Sequence, residues 1–185
     1  MLPTSGTRND RTRFNPIQRI CLSNRNEIHV IQGTIRENIT YGVHRAFTEE
    51  ELVDAAKKAK AYNFIQEKEN GFDTQISRFD NKYSGGEMQR IAIARMILKR
   101  PEILIMDEAT SGIDVISEHE VMEALMNLMA GKTVIMVSHD MEMIRRADNL
   151  IVLNGGQVEA SGDFHQVAAA SPLFQAFLDK GGYLV

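Results

Sequence analysis

The stretch from Ile103 to Val137 constrains the fold more than any other part of this chain. Ile103-Leu104-Ile105-Met106 is a short continuous apolar run, the pattern of a strand covered on both faces. Ser117 to Met129 has helical periodicity and ends at Gly131, and Thr133–Val137 reads as a second buried strand. A strand, a helix of this length and another strand form a βαβ unit with parallel strands and a right-handed crossover. The class is therefore α/β. Ligands of such sheets bind at the carboxyl ends of the strands. Asp107 and Glu108 close the first strand, and Ser138-His139-Asp140 follow the second, so all of these map to that edge.

Upstream, residues 49–69 carry a helical pattern with Leu52, Val53, Ala56, Ala59 and Phe64 on one broad face. Thr48 stands as N-cap, Glu51 takes the capping-box position, and Glu49 and Glu50 favour the positive end of the dipole. The segment stops at Gly71, and the chain is polar from there to Lys82. Residues 1–27 spread Arg8, Arg11, Arg13, Arg19 and Arg25 among Asn, Thr and Ser, with no sustained period beyond Ile20-Cys21-Leu22. They are expected to be irregular. Past the βαβ unit, Met141–Arg146 reads as a short helix. Leu150–Leu153, Asn154-Gly155-Gly156 and Gln157–Ala160 read as a β-hairpin. Residues 163–179 read as a short helix, a break at Pro172 and a final helix.

The second informative block is Tyr83-Ser84-Gly85-Gly86-Glu87, which opens a helix-patterned stretch from Ser84 to Leu98 before Pro101. Ser84 fits an N-cap and Glu87 the reciprocal N3 position. Two glycines let another molecule approach the backbone. The free amides and the dipole of a helix start then favour anionic oxygens. Read alone, Ser-x-x-Glu is most often just a capped helix.

Taken together, Ser84-Gly85-Gly86-Glu87 with Gln89-Arg90-Ile91-Ala92, followed by Ile103–Glu108, resembles the signature and Walker B motifs of ATP-binding cassette (ABC) ATPases. Tyr83 stands where that family usually has Leu, and Glu87 where it usually has Gln. Ala109-Thr110-Ser111-Gly112-Ile113-Asp114 resembles the D-loop, with Asp114 at its acidic position. His139 matches the switch histidine. Gly33-Thr34-Ile35-Arg36-Glu37-Asn38-Ile39 and Gly71-Phe72-Asp73-Thr74-Gln75-Ile76 are similar to exporter-type members. The resemblance implies a P-loop NTPase-like sheet with flanking helices over about residues 28–185. It places an ABC helical subdomain near 40–100 and the catalytic edge in 101–180. It implies ATP and Mg²⁺ as cofactors. Asp107 would be the magnesium-side carboxylate, Glu108 the general base, and His139 a contact to the γ-phosphate. Ser84, Gly85, Gly86, Glu87 and Asp114 would serve nucleotide shared across a head-to-tail dimer with a second ABC nucleotide-binding domain.

One element of that family is missing from the sequence. No G-x-x-x-x-G-K-[ST] string occurs, and Gly131-Lys132-Thr133 lacks the upstream glycine and sits at a helix-to-strand turn. Leu2-Pro3-Thr4-Ser5-Gly6 resembles the sequence after the P-loop helix, so the expectation is a chain that begins downstream of the phosphate cradle. The Q-loop position falls on Arg25 or Asn26. Without the cradle, Asp107 and Glu108 face Mg-ATP unopposed, and hydrolysis by this chain alone is not expected. Apolar strands left without neighbours also invite association.

Composition narrows the partners. A net charge of −4 gives no electrostatic case for nucleic acid. A single cysteine, Cys21, excludes an internal disulfide framework. No apolar run approaches the ~18 residues of a membrane span. The expected location is cytoplasmic, reaching the membrane through a transmembrane transporter subunit or domain. Three readings follow: an ABC exporter nucleotide-binding domain coupling ATP hydrolysis to transport, a non-catalytic subunit lending its signature to a partner, or a gene remnant.

Overall fold

The computed structural model describes residues 17–21, 30–76, 83–107 and 115–181. Strand β1 (Ile17–Cys21) is followed by β2 (Gly33–Thr34), α1 (Ile35–Thr40), α2 (Glu49–Lys58) and α3 (Tyr62–Gln66). Next come a 3-10 turn (Gly71–Asp73), β3 (Gln75–Ile76), α4 (Gly85–Lys99) and β4 (Ile103–Asp107). The chain continues through α5 (Val115–Met129), β5 (Thr133–Val137), α6 (Met141–Arg146), β6 (Leu150–Asn154), β7 (Gln157–Gly162), α7 (Phe164–Ala170) and α8 (Pro172–Asp179).

The central sheet has the order β1-β4-β5, and both pairings are parallel. The β4–α5–β5 unit is thus the one read from the sequence. Within the segment 1–27 expected to be irregular, residues 17–21 form a strand, and the rest of that segment lies outside the described residues. Ile17-Gln18-Arg19-Ile20-Cys21 has no clean period of its own, and it is the pairing with β4 that makes it a strand, Ile17 opposite Ile103 and Cys21 opposite Asp107.

A second correction concerns burial. Leu104 and Met106 are fully buried, but Ile103 and Ile105 are only partly so. In β5, Val134 and Met136 lean on the core while Ile135 and Val137 remain 58% and 62% exposed. Both strands are covered on one face, by the cluster containing Ile91, Ala94, Val121, Leu125 and Leu128. An unbroken apolar run reports a strand, but not how many layers lie over it.

That cluster also runs through α1, α2 and α3, with Ile35, Ile39, Leu52 and Ile65 at its centre. Residues 49–69 do not form one helix. Lys60 adopts φ +55°, Ala61 N donates to Ala56 O at 2.8 Å, and the chain turns before α3. The apolar period survives the turn because both helices lay the same face on the cluster. Helix α4 ends with Arg100 in the left-handed region, φ +53°, one residue before Pro101.

The C-terminal part builds a smaller cluster from Ile144, Ala160, Val167, Phe174 and Phe177. The β6–β7 hairpin turns at Gly155-Gly156, with φ +56° and +80°. Positive φ at both turn positions is the primed geometry that matches strand twist, and glycine adopts it freely. Ser171 caps α8, whose first residue is Pro172.

Candidate functional site

The start of α4 is built by its own sequence. Glu87 N donates to Ser84 Oγ at 3.1 Å, and Ser84 N donates to Glu87 Oε2 at 2.8 Å. This reciprocal pair satisfies two amides that a helix start otherwise leaves open. Ser84 and Gly85 are exposed, and Gly86 is buried. A Cβ placed on Gly85 meets nothing within 4 Å. Its backbone therefore lies open on the chain surface at the positive end of a 15-residue helix.

Side chains around this helix start were not singled out from sequence. Lys68, just after α3, sets Nζ 3.5 Å from Glu87 Oε1 and 4.9 Å from the centroid of the Tyr83 ring. The Glu87 carboxylate is thus held by the Ser84 amide and an ammonium. Arg90, one turn in, stacks over Phe64 at 5.1 Å and pairs with Glu120 of α5. The α3–α4 and α4–α5 contacts that fix the helix start are therefore partly ionic.

A second anchor lies further along α4. Asn38 in α1 is fully buried. Its Oδ1 accepts from Ile31 N at 2.8 Å, and its Nδ2 donates to Ile31 O at 3.0 Å and Thr34 O at 2.9 Å. Arg95 donates from Nε to Asn38 O at 2.6 Å and from Nη2 to Asn38 Oδ1 at 3.3 Å. Burial lowers the Arg95 pKa from its usual value. The knot ties residues 31–38 to the helix that presents Ser84. The signal available in sequence was Asn38 and Arg95 standing inside otherwise apolar helical faces.

At the sheet edge, Asp107 is the last residue of β4, half-buried and in register with Val137 of β5. His139 follows two residues after Val137 and is exposed. The structure thus brings Asp107 and His139 to the carboxyl ends of neighbouring parallel strands. Asp140 caps α6, its Oδ1 accepting from Glu142 N at 2.8 Å. Glu108 and Asp114 lie outside the described residues. So do Arg25 and Asn26, the Q-loop candidates.

These features fit the groups they would hold. An exposed Ser hydroxyl and an open glycine backbone at a helix start suit phosphate oxygens. One carboxylate at a strand end suits Mg²⁺, which is usually held by one or two carboxylates plus substrate phosphates. Among the described residues no group of three His, Cys, Asp or Glu side chains forms a self-sufficient metal cage.

The fold is that of an α/β domain of the P-loop NTPase type, and it carries a glycine-opened helix start and an acidic strand end. Comparison with known proteins narrows it. The family model described as "ABC transporter" matches residues 4–111. The chain is 39% identical over 154 residues to the ATP-dependent lipid A-core flippase of Francisella tularensis, covering 83% of this chain and 25% of the flippase. It is 40% identical over 157 residues to the ABC transporter ATP-binding protein YknU of Bacillus subtilis, covering 85% of this chain and 25% of YknU. It is 43% identical over 141 residues to ABC transporter B family member 14 of Arabidopsis thaliana, covering 76% and 11%. The chain belongs to the ABC transporter family and is an exporter-type nucleotide-binding domain sequence. It spans about a quarter of the length of the flippase it matches.

Proposed function

We propose that this chain serves an ABC exporter as part of the ATP-binding machinery that couples nucleotide binding and hydrolysis to transport, and that its own share is the signature half of a composite site. The observation that carries this reading is the helix start at Ser84: doubly capped, exposed and open at Gly85. Within the 185 residues no G-x-x-x-x-G-K-[ST] loop accompanies it. The phosphate it closes over is one held by a second nucleotide-binding domain, met head to tail. The membrane is reached through a transmembrane transporter subunit or domain; among the described residues no helix is long and apolar enough to cross it.

In that assembly, bound Mg-ATP supplies the phosphoryl group to be transferred. The Ser84 hydroxyl and the Gly85 and Gly86 amides donate to its oxygens, and the α4 dipole adds a fixed positive potential. Glu87 holds Ser84 in place through the cap. At the chain's own edge, Asp107 would be the magnesium-side carboxylate, Glu108 the base for water and His139 a donor to a phosphate oxygen, were a phosphate cradle supplied opposite them. Asp114, by its D-loop register after Glu108, would serve the contact with the second domain. The helical part, near residues 40–100, carries the signature, and residues 101–180 carry the edge.

The test pairs this chain with a complete exporter-type ATP-binding domain whose own signature serine is replaced by arginine. That domain alone should be silent. Restored ATP turnover on adding this chain, lost again with Ser84→Arg, is the expected result. Turnover by the pure chain that disappears with Glu108→Gln would instead assign it a self-sufficient site and overturn the composite reading.

A further inference from the structure

We propose that the groove between α5 and α6 is a docking site for a basic amphipathic helix of a protein partner, on a surface that adjoins the strand-end edge at Asp140 and does not depend on the function proposed above. The groove has a volume of about 600 Å³ and is open to solvent. Its floor is Met122 and Met126, one helical turn apart and half-buried against the main core. Unbranched thioether side chains adapt to varied apolar partners.

Its walls are acidic. Glu118 and Glu123 rise from α5, and Asp140 and Glu142 from the start of α6. Against these four carboxylates stand Lys60 and Arg146, leaving −2 with His119 neutral, in a chain of net −4. The two cations are already engaged. Lys60 Nζ lies 2.9 Å from Glu123 Oε2, and Arg146 Nη2 lies 3.0 Å from Glu142 Oε1. The Lys60 ammonium holds the Glu123 carboxylate below its usual range, so the wall stays charged at neutral pH. Asp140 is occupied in capping α6. Glu118, also on the wall, is exposed.

An apolar floor between acidic rims matches one ligand chemistry: a helix with apolar residues at i, i+3, i+4 and i+7 flanked by Lys or Arg. An acidic strand or an anionic lipid surface is repelled by the same walls.

The probe is a synthetic Leu/Lys peptide with that pattern, with a Leu/Glu isomer and a scrambled Leu/Lys isomer as controls. Anisotropy with the full chain should give at least ~10-fold tighter binding for the patterned basic peptide than for either control. Hydrogen exchange should protect α5 and α6. The charge reversal Glu118→Lys with Glu142→Lys should weaken binding about tenfold and leave the melting curve in place. Equal binding of the scrambled peptide, insensitivity to charge reversal, protection elsewhere, or no binding overturns the proposal. Protection of the groove that grows with concentration of the chain alone would assign it to a second copy and overturn it equally.

Discussion

Ser84 and Glu87 cap one another, each backbone amide donating to the other's side chain at 2.8 and 3.1 Å. The family pattern has Gln where this chain has Glu87. Glutamine fills the same capping role, so what the carboxylate adds is its charge and, through its second oxygen, the ion pair with Lys68. Lys68, 3.5 Å away, offsets part of that charge.

Glu87→Gln should therefore leave the fold intact and strengthen phosphate capture. The amide still accepts from Ser84 N, and a negative charge near an anion site is removed. The expected result is an unchanged melting temperature with tighter ATP-dependent association to a complete partner domain. Ser84→Ala should lower stability by about 1 kcal/mol through loss of the cap and should abolish association. Thermal melts and light scattering with and without nucleotide read both effects. Weaker association of Glu87→Gln would show that the carboxylate itself is needed.

The buried knot makes the second prediction. Asn38→Ala removes partners from Ile31 N, Ile31 O and the Arg95 guanidinium in one step. Unmet buried groups cost about 1–3 kcal/mol each, more when charged. A loss of about 3 kcal/mol is expected in urea unfolding, with exchange protection lost in both α1 and α4. Asn38→Asp should cost less, since it still accepts from Ile31 N and gives Arg95 a carboxylate. Equal loss for both substitutions would argue that packing, not hydrogen bonding, holds the joint.

How much of this was legible beforehand follows from what kind of force sets each feature. The capped starts at Thr34, Thr48, Ser84 and Asp163 depend on side chains within three residues, and the sequence carries that information locally. The same holds for the Gly155-Gly156 turn. The β4–α5–β5 unit was readable because its periods are strong. What failed was whatever depends on distant neighbours. Strand β1 exists through its pairing with β4, and the bare side of β5 reflects which layers are present. The break at Lys60 leaves the apolar face continuous, so no period marks it. Among the candidate site residues, Ser84, Asp107 and His139 are those that a motif picks out. Lys68, Asn38 and Arg95 act across 19, 57 and 57 residues of sequence, and a linear pattern does not record such distances.

Glu159 predicts an acid-side weakness in the C-terminal part. Its carboxylate accepts from Ser171 Oγ, Asn154 Nδ2 at 2.7 Å and Leu173 N at 3.2 Å, tying the hairpin to the start of α8. The Ser171 hydroxyl, then the Asn154 amide, then the Leu173 amide lower its pKa. A carboxylate with a depressed folded-state pKa stabilises fully above its unfolded value of about 4.3 and loses that contribution as pH falls through the folded value. Acid titration by circular dichroism should show the wild type losing stability over that window. Glu159→Gln should start lower at neutral pH and change less on acidification. Parallel acid titrations of the two chains would show the link is not proton-sensitive.

Gly85→Ala separates a structural glycine from a ligand-facing one. The helix itself gains from the change, because alanine in a helix is better than glycine by roughly 0.5–1 kcal/mol. Nothing within 4 Å of the new Cβ opposes it. Stability should hold or rise by a few tenths to 1 kcal/mol in urea. If the open backbone is where phosphate approaches, the methyl group occupies that space, and ATP-dependent association with a complete partner should fall at least about tenfold, or ~1.4 kcal/mol. A more stable chain that no longer associates is the outcome that a purely structural role cannot produce. A more stable chain that associates normally would move the phosphate contact off Gly85 and leave it to the Ser84 hydroxyl and the buried Gly86 amide.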